Sequence, residues 1–294
     1  MDPEQDASIV NTLTFTEYSG EIEIEGIYAF SVNPLKLDIL DIHDPESSSI
    51  LNSINLNGIT AIKVSGGYAY IGVPGELKIY DIDPPESAFE VGSLALPDTV
   101  KEVAVSNGYA YLAAGESGLF IIDVAPPASP CLVNTIESMN STLGCALLNG
   151  FAYLADWDGG LRIIGISDPE SPLEIGMISI FNGAAKIAVS QGYAYVVDVH
   201  PGDLHIIDIS NPASPAITSS TSYSNPYEAL AIAYAYAYVA DHDDSFRIVD
   251  VHDPDSPVVA DSVDISGGVY DIAIDKGYAY LANSYNGLKI FKLF

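Results

Sequence analysis

An aromatic-Ala-aromatic triplet returns seven times along this chain, as Tyr28-Ala29-Phe30, Tyr68-Ala69-Tyr70, Tyr109-Ala110-Tyr111, Phe151-Ala152-Tyr153, Tyr193-Ala194-Tyr195, Tyr236-Ala237-Tyr238 and Tyr278-Ala279-Tyr280. The intervals are 40, 41, 42, 42, 43 and 42 residues. A fixed period of this size marks an array of similar units, each burying its apolar faces against its neighbours. Seven such units use all 294 residues, so residues 1–294 are expected to form a single domain.

Inside each unit the pattern alternates, as strands require. Apolar residues stand six and four positions before every triplet, from Ile22 and Ile24 in the first unit to Ile272 and Ile274 in the last. These define an inner strand A. The position between them is mostly Ala (Ala104, Ala146, Ala188, Ala231, Ala273), which suits a crowded location. The triplet opens strand B. A short turn leads to strand C, as in Leu119-Phe120-Ile121-Ile122-Asp123-Val124, and a proline-punctuated turn such as Asp168-Pro169-Glu170-Ser171-Pro172 leads to strand D. Proline has no N–H to donate, so it belongs in the connection and not in the ladder.

Four antiparallel strands per unit, apolar on both faces, predict an all-β, seven-bladed β-propeller. Burial of both faces also accounts for a mean hydropathy of +0.24 without a membrane span. The last unit stops after strand C, at Leu288–Phe294, while Ile9–Phe15 reads as a strand D with no strand C before it. Pairing the two is expected to complete the seventh blade with the N-terminal strand and remove two exposed edges.

The strand C and turn signature, in copies such as Gly118–Val124 followed by Pro127 and Pro130, resembles the LVIVD repeat of prokaryotic, mostly secreted or surface-attached proteins. Two units depart from it, with Gly165 and Lys292 where the aspartate stands elsewhere. The resemblance implies a seven-bladed propeller in an extracellular or cell-surface setting. It implies little about activity, because propellers host enzymes, lectins and plain scaffolds alike.

Charge limits the partners. Ten Lys and Arg face 40 Asp and Glu, a net charge of −30, which repels a nucleic-acid backbone and an anionic lipid surface. No apolar run is long enough to span a bilayer, so membrane insertion is not expected. Two cysteines, Cys131 and Cys145, make neither a disulfide framework nor a metal cluster, and both read as small core residues. The sequon Asn140-Ser141-Thr142 is a weak sign of secretion.

Ligand-type side chains gather in the B-to-C loops of units 4 to 6: Asp156, Trp157 and Asp158, then Asp198 and His200, then Asp241, His242 and Asp243. Units 2 and 3 offer little there, so one sector of the ring differs from the rest. Carboxylate oxygens suit Ca²⁺, and Asp156, Asp158, Asp241 and Asp243 are the candidate ligands, although no loop has the spacing of a calcium hand. The competing reading is that these aspartates bond turn amides in a solvated surface. Asp44, Asp168, Asp253 and Asn211 before proline, and Asp41, Asp81, Asp123, Asp208 and Asp250 ending strand C, recur around the ring and read as turn geometry. Lys78, Arg162, Arg247, Lys289 and His205 share one strand C column and are expected to meet carboxylates across the blade interface.

No P-loop, dinucleotide, nucleophile-elbow, zinc-protease or C-x-x-C motif occurs. The leading expectation is therefore an extracytoplasmic, monomeric binding or scaffold propeller whose top face, made by the B-to-C and D-to-A connections, engages a protein, peptide or glycan. A bound divalent cation such as Ca²⁺ is the one cofactor the loops suggest. The alternatives are a metal-assisted hydrolase or lyase at the channel mouth, and an acidic surface adapted to salt.

Overall fold

The computed structural model describes residues 7–14, 19–138, 140–180, 183–200, 202–222, 227–241, 245–284 and 286–293, and the side chains of Tyr227 and Asp241 lie outside that description. Seven four-stranded antiparallel sheets form the blades, with strands β1 to β28 numbered in chain order. Blade 1 comprises β2 (Glu21–Glu25), β3 (Tyr28–Asn33), β4 (Lys36–Asp41) and β5 (Ser49–Asn55). Blades 2 to 6 repeat the A-B-C-D order, and no α-helix occurs among the described residues. The fold expected from the repeat is therefore the fold observed.

Closure also follows the expectation. Blade 7 contains β26 (Asp271–Asp275), β27 (Tyr278–Ala282) and β28 (Leu288–Lys292), and its outer strand is β1 (Ser8–Leu13). The two chain ends pair from Ser8 opposite Lys292 to Leu13 opposite Leu288.

The core lies between blades. Tyr70, Leu77 and Ile79 of blade 2 pack on Val103, Leu112 and Ile122 of blade 3, and every other seam repeats the arrangement. The third residue of the triplet is the seam's largest filler, with Tyr238 at 0% exposure and Tyr280 at 1%. Phe246 and Phe291 meet across the blade 6–7 seam with ring centroids 5.6 Å apart. Each such side chain, fully removed from water, contributes roughly 1.5–3 kcal/mol, so the recurring aromatic is a packing element.

The aspartates read as turn geometry act as such. Asp41, Asp81, Asp123, Asp208 and Asp250 each accept a bond from the backbone N–H two residues on, at 2.8–3.0 Å. Asp44 and Asp168 do the same for Glu46 and Glu170. The cysteines are both free, but only Cys145 is buried: Cys131 opens outer strand β13 (Cys131–Ile136) and is exposed, contrary to its reading as a core residue. Outer strands have one uncovered edge, and a bulge interrupts the pairing of each with its strand C.

Candidate functional site

Among the described residues, buried polar side chains stand in the top-face connections of blades 4 and 5 (Asp156, Arg162, Asp198, His205) and also in blades 1 and 7 (Asn33, Asp38, Asn283, Lys289), and charged ones line the central channel. In blade 4, β15 (Phe151–Asp156) ends with Asp156 at the seam side, where it is 0% exposed. Its Oδ1 accepts bonds from the backbone N–H groups of Asn140 at 3.2 Å and Ser141 at 3.1 Å, and the Ser138 hydroxyl donates at 3.0 Å. Arg162, two residues into β16 (Gly160–Gly165), donates from Nη1 to Oδ2 at 3.0 Å. The same guanidinium donates from Nη2 and Nε to Glu174 Oε2, at 2.6 and 3.0 Å, and from Nη1 to the Glu137 carbonyl at 2.9 Å. Asp156 thus fastens the D-to-A connection entering blade 4 to that blade's B-to-C turn.

These contacts revise one expectation. The carboxylates meeting Arg162, Lys78 and His205 belong to the cation's own blade: Asp156 and Glu174, then Glu76 and Glu90, then Asp198. The reason is register, because side chains at paired positions of neighbouring strands stand side by side on one face of the sheet.

Trp157 and Asp158 follow Asp156 in a single 3-10 turn. Asp158 is exposed and accepts a bond from Asn140 Nδ2 at 2.7 Å. The Trp157 indole lies over Gly183 of the next D-to-A connection, whose φ is +94° and where a Cβ would stand 3.1 Å from the ring. The indole is therefore half-buried, wedged between blades 4 and 5 with one part facing solvent.

In blade 5, Asp198 ends β19 (Tyr193–Asp198) at 1% exposure, and Asp203 and His205 lie on β20 (Asp203–Asp208). Asp198 Oδ1 accepts bonds from the N–H groups of Gly202 at 3.0 Å and Asp203 at 2.8 Å. Its Oδ2 lies 3.2 Å from His205 Nε2, while His205 Nδ1 lies 2.8 Å from the Ser220 hydroxyl. Among the described residues, Asp198, Asp203 and His205 are the one group offering three metal-type donor atoms within 4.8 Å of one another. His200 is exposed on the same loop. Asp241 ends β23 (Tyr236–Asp241), with its side chain undescribed, and His242 and Asp243 lie outside the described residues.

The channel holds a group that the repeat pattern did not single out. Glu21, Glu102 and Asp271 start their inner strands, and Glu23, Lys63 and Lys186 are the third residues of theirs. They line a cavity of about 490 Å³, together with Ala104, Ala146, Ala188 and Ala273 of the column read as crowded. Lys186 Nζ reaches across the ring to Glu102 Oε2 at 3.1 Å and Glu21 Oε1 at 4.0 Å. Lys63 Nζ sits 2.8 Å from Glu23 Oε1. The uncovered inner edges of the blades are capped by carboxylates from the preceding blade: Asp271 Oδ2 accepts the Ile22 N–H and Glu21 Oε2 the Ile62 N–H, each at 2.9 Å.

Crowding of like charge away from water shows in the acidities. Burial pushes Glu23 up to about 7 although Lys63 pulls it down, and burial pushes Asp271 up to about 6 against Lys186. Glu21 is likewise raised by burial, and Lys186 is raised because Glu102 and Glu21 outweigh its own burial. A signal was present in the sequence: the position seven before each triplet reads Glu21, Ala61, Glu102, Gly144, Lys186, Ala229 and Asp271, a column mixing small and charged residues where core columns are uniformly apolar.

These features define a seven-bladed β-propeller closed by its N-terminal strand, with a charged channel and an acidic, rigidly bonded top face. The chain belongs to the LVIVD repeat family, whose repeat matches residues 59–95, 98–137, 142–179, 183–222, 229–265 and 266–291. Blade 1 lies outside the matched ranges yet has the same four strands. A search of curated proteins finds no match. Among solved structures, the chain is similar to the Myceliophteria thermophila Cps50 (Swd1) β-propeller domain at 12% identity and TM-score 0.83, covering 98% of this chain and 100% of that one. The RRP9 WD40 repeats align at 11% identity and TM-score 0.80, covering 98% of each chain. A computationally designed protein, Ika8, aligns at 10% identity and TM-score 0.74, covering 97% and 99%. Likeness at such identities speaks for the fold alone.

Proposed function

We propose that this protein is an extracytoplasmic binding or scaffold propeller whose top face engages a positively charged protein or peptide, with glycans the alternative ligand class. The observation that carries the reading is the disposition of charge. Lys36, Lys63, Lys78, Arg162, Lys186 and Lys276 are each engaged by a carboxylate of this same chain, in a molecule with 40 acids and 10 bases. The acids left over, such as exposed Glu116 and Asp158 at the mouths of adjacent blades, give a field that draws in cationic partners. The half-buried Trp157 supplies an apolar contact beside them, and the rigid Asp156 network holds that sector ready without an ordering cost. An exterior location accords with the same charge and with the family's usual setting. A divalent ion in this sector belongs to the same reading. No described helix is long and apolar enough to cross a membrane.

The test is a binding panel of basic, acidic and neutral peptides of equal length, together with neutral oligosaccharides, read by surface plasmon resonance at several salt concentrations. Basic peptides are expected to bind, with affinity falling as salt rises, and Glu116→Lys/Asp158→Lys is expected to weaken them at least ~10-fold. Equal binding of acidic and basic peptides, or binding of oligosaccharides alone, would overturn the basic-partner reading.

A further inference from the structure

We infer that blade 5 holds a divalent transition-metal ion of the zinc class between Asp198, Asp203 and His205. Strand geometry puts the three together. Asp203 and His205 are two residues apart on β20 and so share a face, and the pairing of Val197 with Leu204 carries Asp198 to the same side. One donor atom from each lies within 4.8 Å of the others.

Blade 4 differs from blade 5 at the equivalent positions. There the aspartate ending strand B is met by the permanent charge of Arg162, and the position two before the arginine is Gly160. Blade 5 replaces the guanidinium with the His205 imidazole and places a second carboxylate, Asp203, where blade 4 has glycine. The fixed positive charge is gone and a negative one is added, in a niche where Asp198 is 1% and His205 8% exposed and Asp203 is half-buried. Asp203 Oδ1 is buried there with no hydrogen-bond partner among the described residues. A buried carboxylate oxygen without a donor, facing a second carboxylate, is costly unless a cation lies between them.

The surroundings match what a metal ligand needs. Two backbone N–H groups occupy Asp198 Oδ1, and Oδ2 faces His205 Nε2 at 3.2 Å, the pair of donor atoms an ion would bridge. The Ser220 hydroxyl engages His205 Nδ1, which orients Nε2 toward Asp198. Two carboxylates and one imidazole suit a borderline ion such as Zn²⁺, with water completing the shell, whereas Ca²⁺ takes six to eight oxygens. The ion differs in place and kind from a calcium site on Asp156, Asp158, Asp241 and Asp243. It is independent of the partner proposed above, since its assay contains none.

The test uses the full chain, stripped with chelator and titrated with Zn²⁺, Co²⁺ and Ca²⁺ at physiological salt by calorimetry, with melting curves and Co²⁺ visible absorption in parallel. The expected result is one Zn²⁺ per chain, a saturable rise in melting midpoint, and no such rise with Ca²⁺ at the same concentration. Asp203→Asn and His205→Arg are each expected to keep the far-UV circular dichroism of the wild type and to lower Zn²⁺ affinity at least ~10–100-fold. His205→Arg copies the blade 4 arrangement and so supplies the charge the ion would bring. Asp203→Asn carries the test by itself should the arginine variant fail to fold. No saturable uptake, several weak equivalent ions per chain, or unchanged affinity in a folded variant would each overturn the site.

Discussion

The side-chain amide of Asn52 in blade 1 donates to the carbonyl of Pro85 in blade 2 at 2.8 Å. The same relationship recurs around the ring. Asn11 of the closing strand donates to Pro45 at 3.1 Å, Asn134 to Glu170 at 2.9 Å, and the Ser219 hydroxyl to Pro254 at 2.6 Å. At the blade 6–7 seam the sense reverses, and Asp261 Oδ2 accepts the Ala7 N–H at 3.0 Å. At the two remaining seams, Gly92 and Gly176 approach the carbonyls of Pro127 and Pro212 so closely that a Cβ would collide with them. The proline turns therefore do more than connect strands: each presents a carbonyl to the blade before it and closes the outer end of the seam.

Gly176→Ala is expected to destabilise the protein by about 1–3 kcal/mol, because the new methyl must push a whole blade away from Pro212. Asn52→Ala loses one partly buried hydrogen bond and is expected to cost about 1 kcal/mol. Urea unfolding of both variants checks this, and an unchanged stability in Gly176→Ala would contradict the seam account.

Arg162→Met is expected to be the most damaging single change at the top face, at about 3–5 kcal/mol, since it leaves the Asp156 carboxylate buried without its counter-charge. Adding Asp156→Asn to that variant should recover part of the loss. A double-mutant cycle by chemical unfolding measures the coupling.

The channel makes stability depend on pH in a defined direction. Glu23 rises from 4.5 to about 7 in the folded protein, held up by burial, so the folded state binds a proton over that interval and the unfolded chain does not. The stability from this group is complete below its unfolded value and is lost as pH rises through the folded one. Asp271, raised to about 6, acts in the same sense. The melting midpoint should therefore be higher near about pH 5 than near about pH 8, and Glu23→Gln should flatten the slope. Equal slopes in variant and wild type would remove Glu23 as a cause.

Much of the fold was legible because it depends on residues that recur: the triplet, the strand A pair such as Ile62 and Val64, and the proline turns. The seam contacts were not, since Asn52, Gly92, Ser219 and Asp261 occupy one structural column with unrelated side chains. What they share is proximity to a carbonyl or an N–H of the next blade, which no period reveals. The channel charges escaped for a related reason: Lys186 meets Glu102 and Glu21 from non-adjacent blades, a relation that exists only once the ring closes. In the top-face loops Asp156, Trp157, Asp158 and Asp198 were visible as residue types. Their bonding was not, because Asp156 turns inward to Arg162 while Asp158 two residues later faces solvent. His205 was passed over because its membership of the strand C column argued for structure.

Tyr238 tests the packing assignment of the triplet. It is 0% exposed, and its hydroxyl has no hydrogen-bond partner among the described residues. Its ring stacks near Phe246, with centroids 6.3 Å apart. Tyr238→Phe keeps the ring and removes an unsatisfied polar group, so it is expected to be neutral or stabilising by up to about 1 kcal/mol. A clear loss of stability in thermal unfolding would mean that the hydroxyl has a role beyond filling the seam.

The central claim is that the top face is the binding face. Hydrogen–deuterium exchange of the protein with and without a saturating basic peptide tests it most directly. The account predicts slowed exchange in the D-to-A segment 138–141 and the turn 157–159, with the proline turns around Pro45, Pro85 and Pro169 unchanged. Protection confined to those proline turns, or spread evenly over the surface, would contradict it.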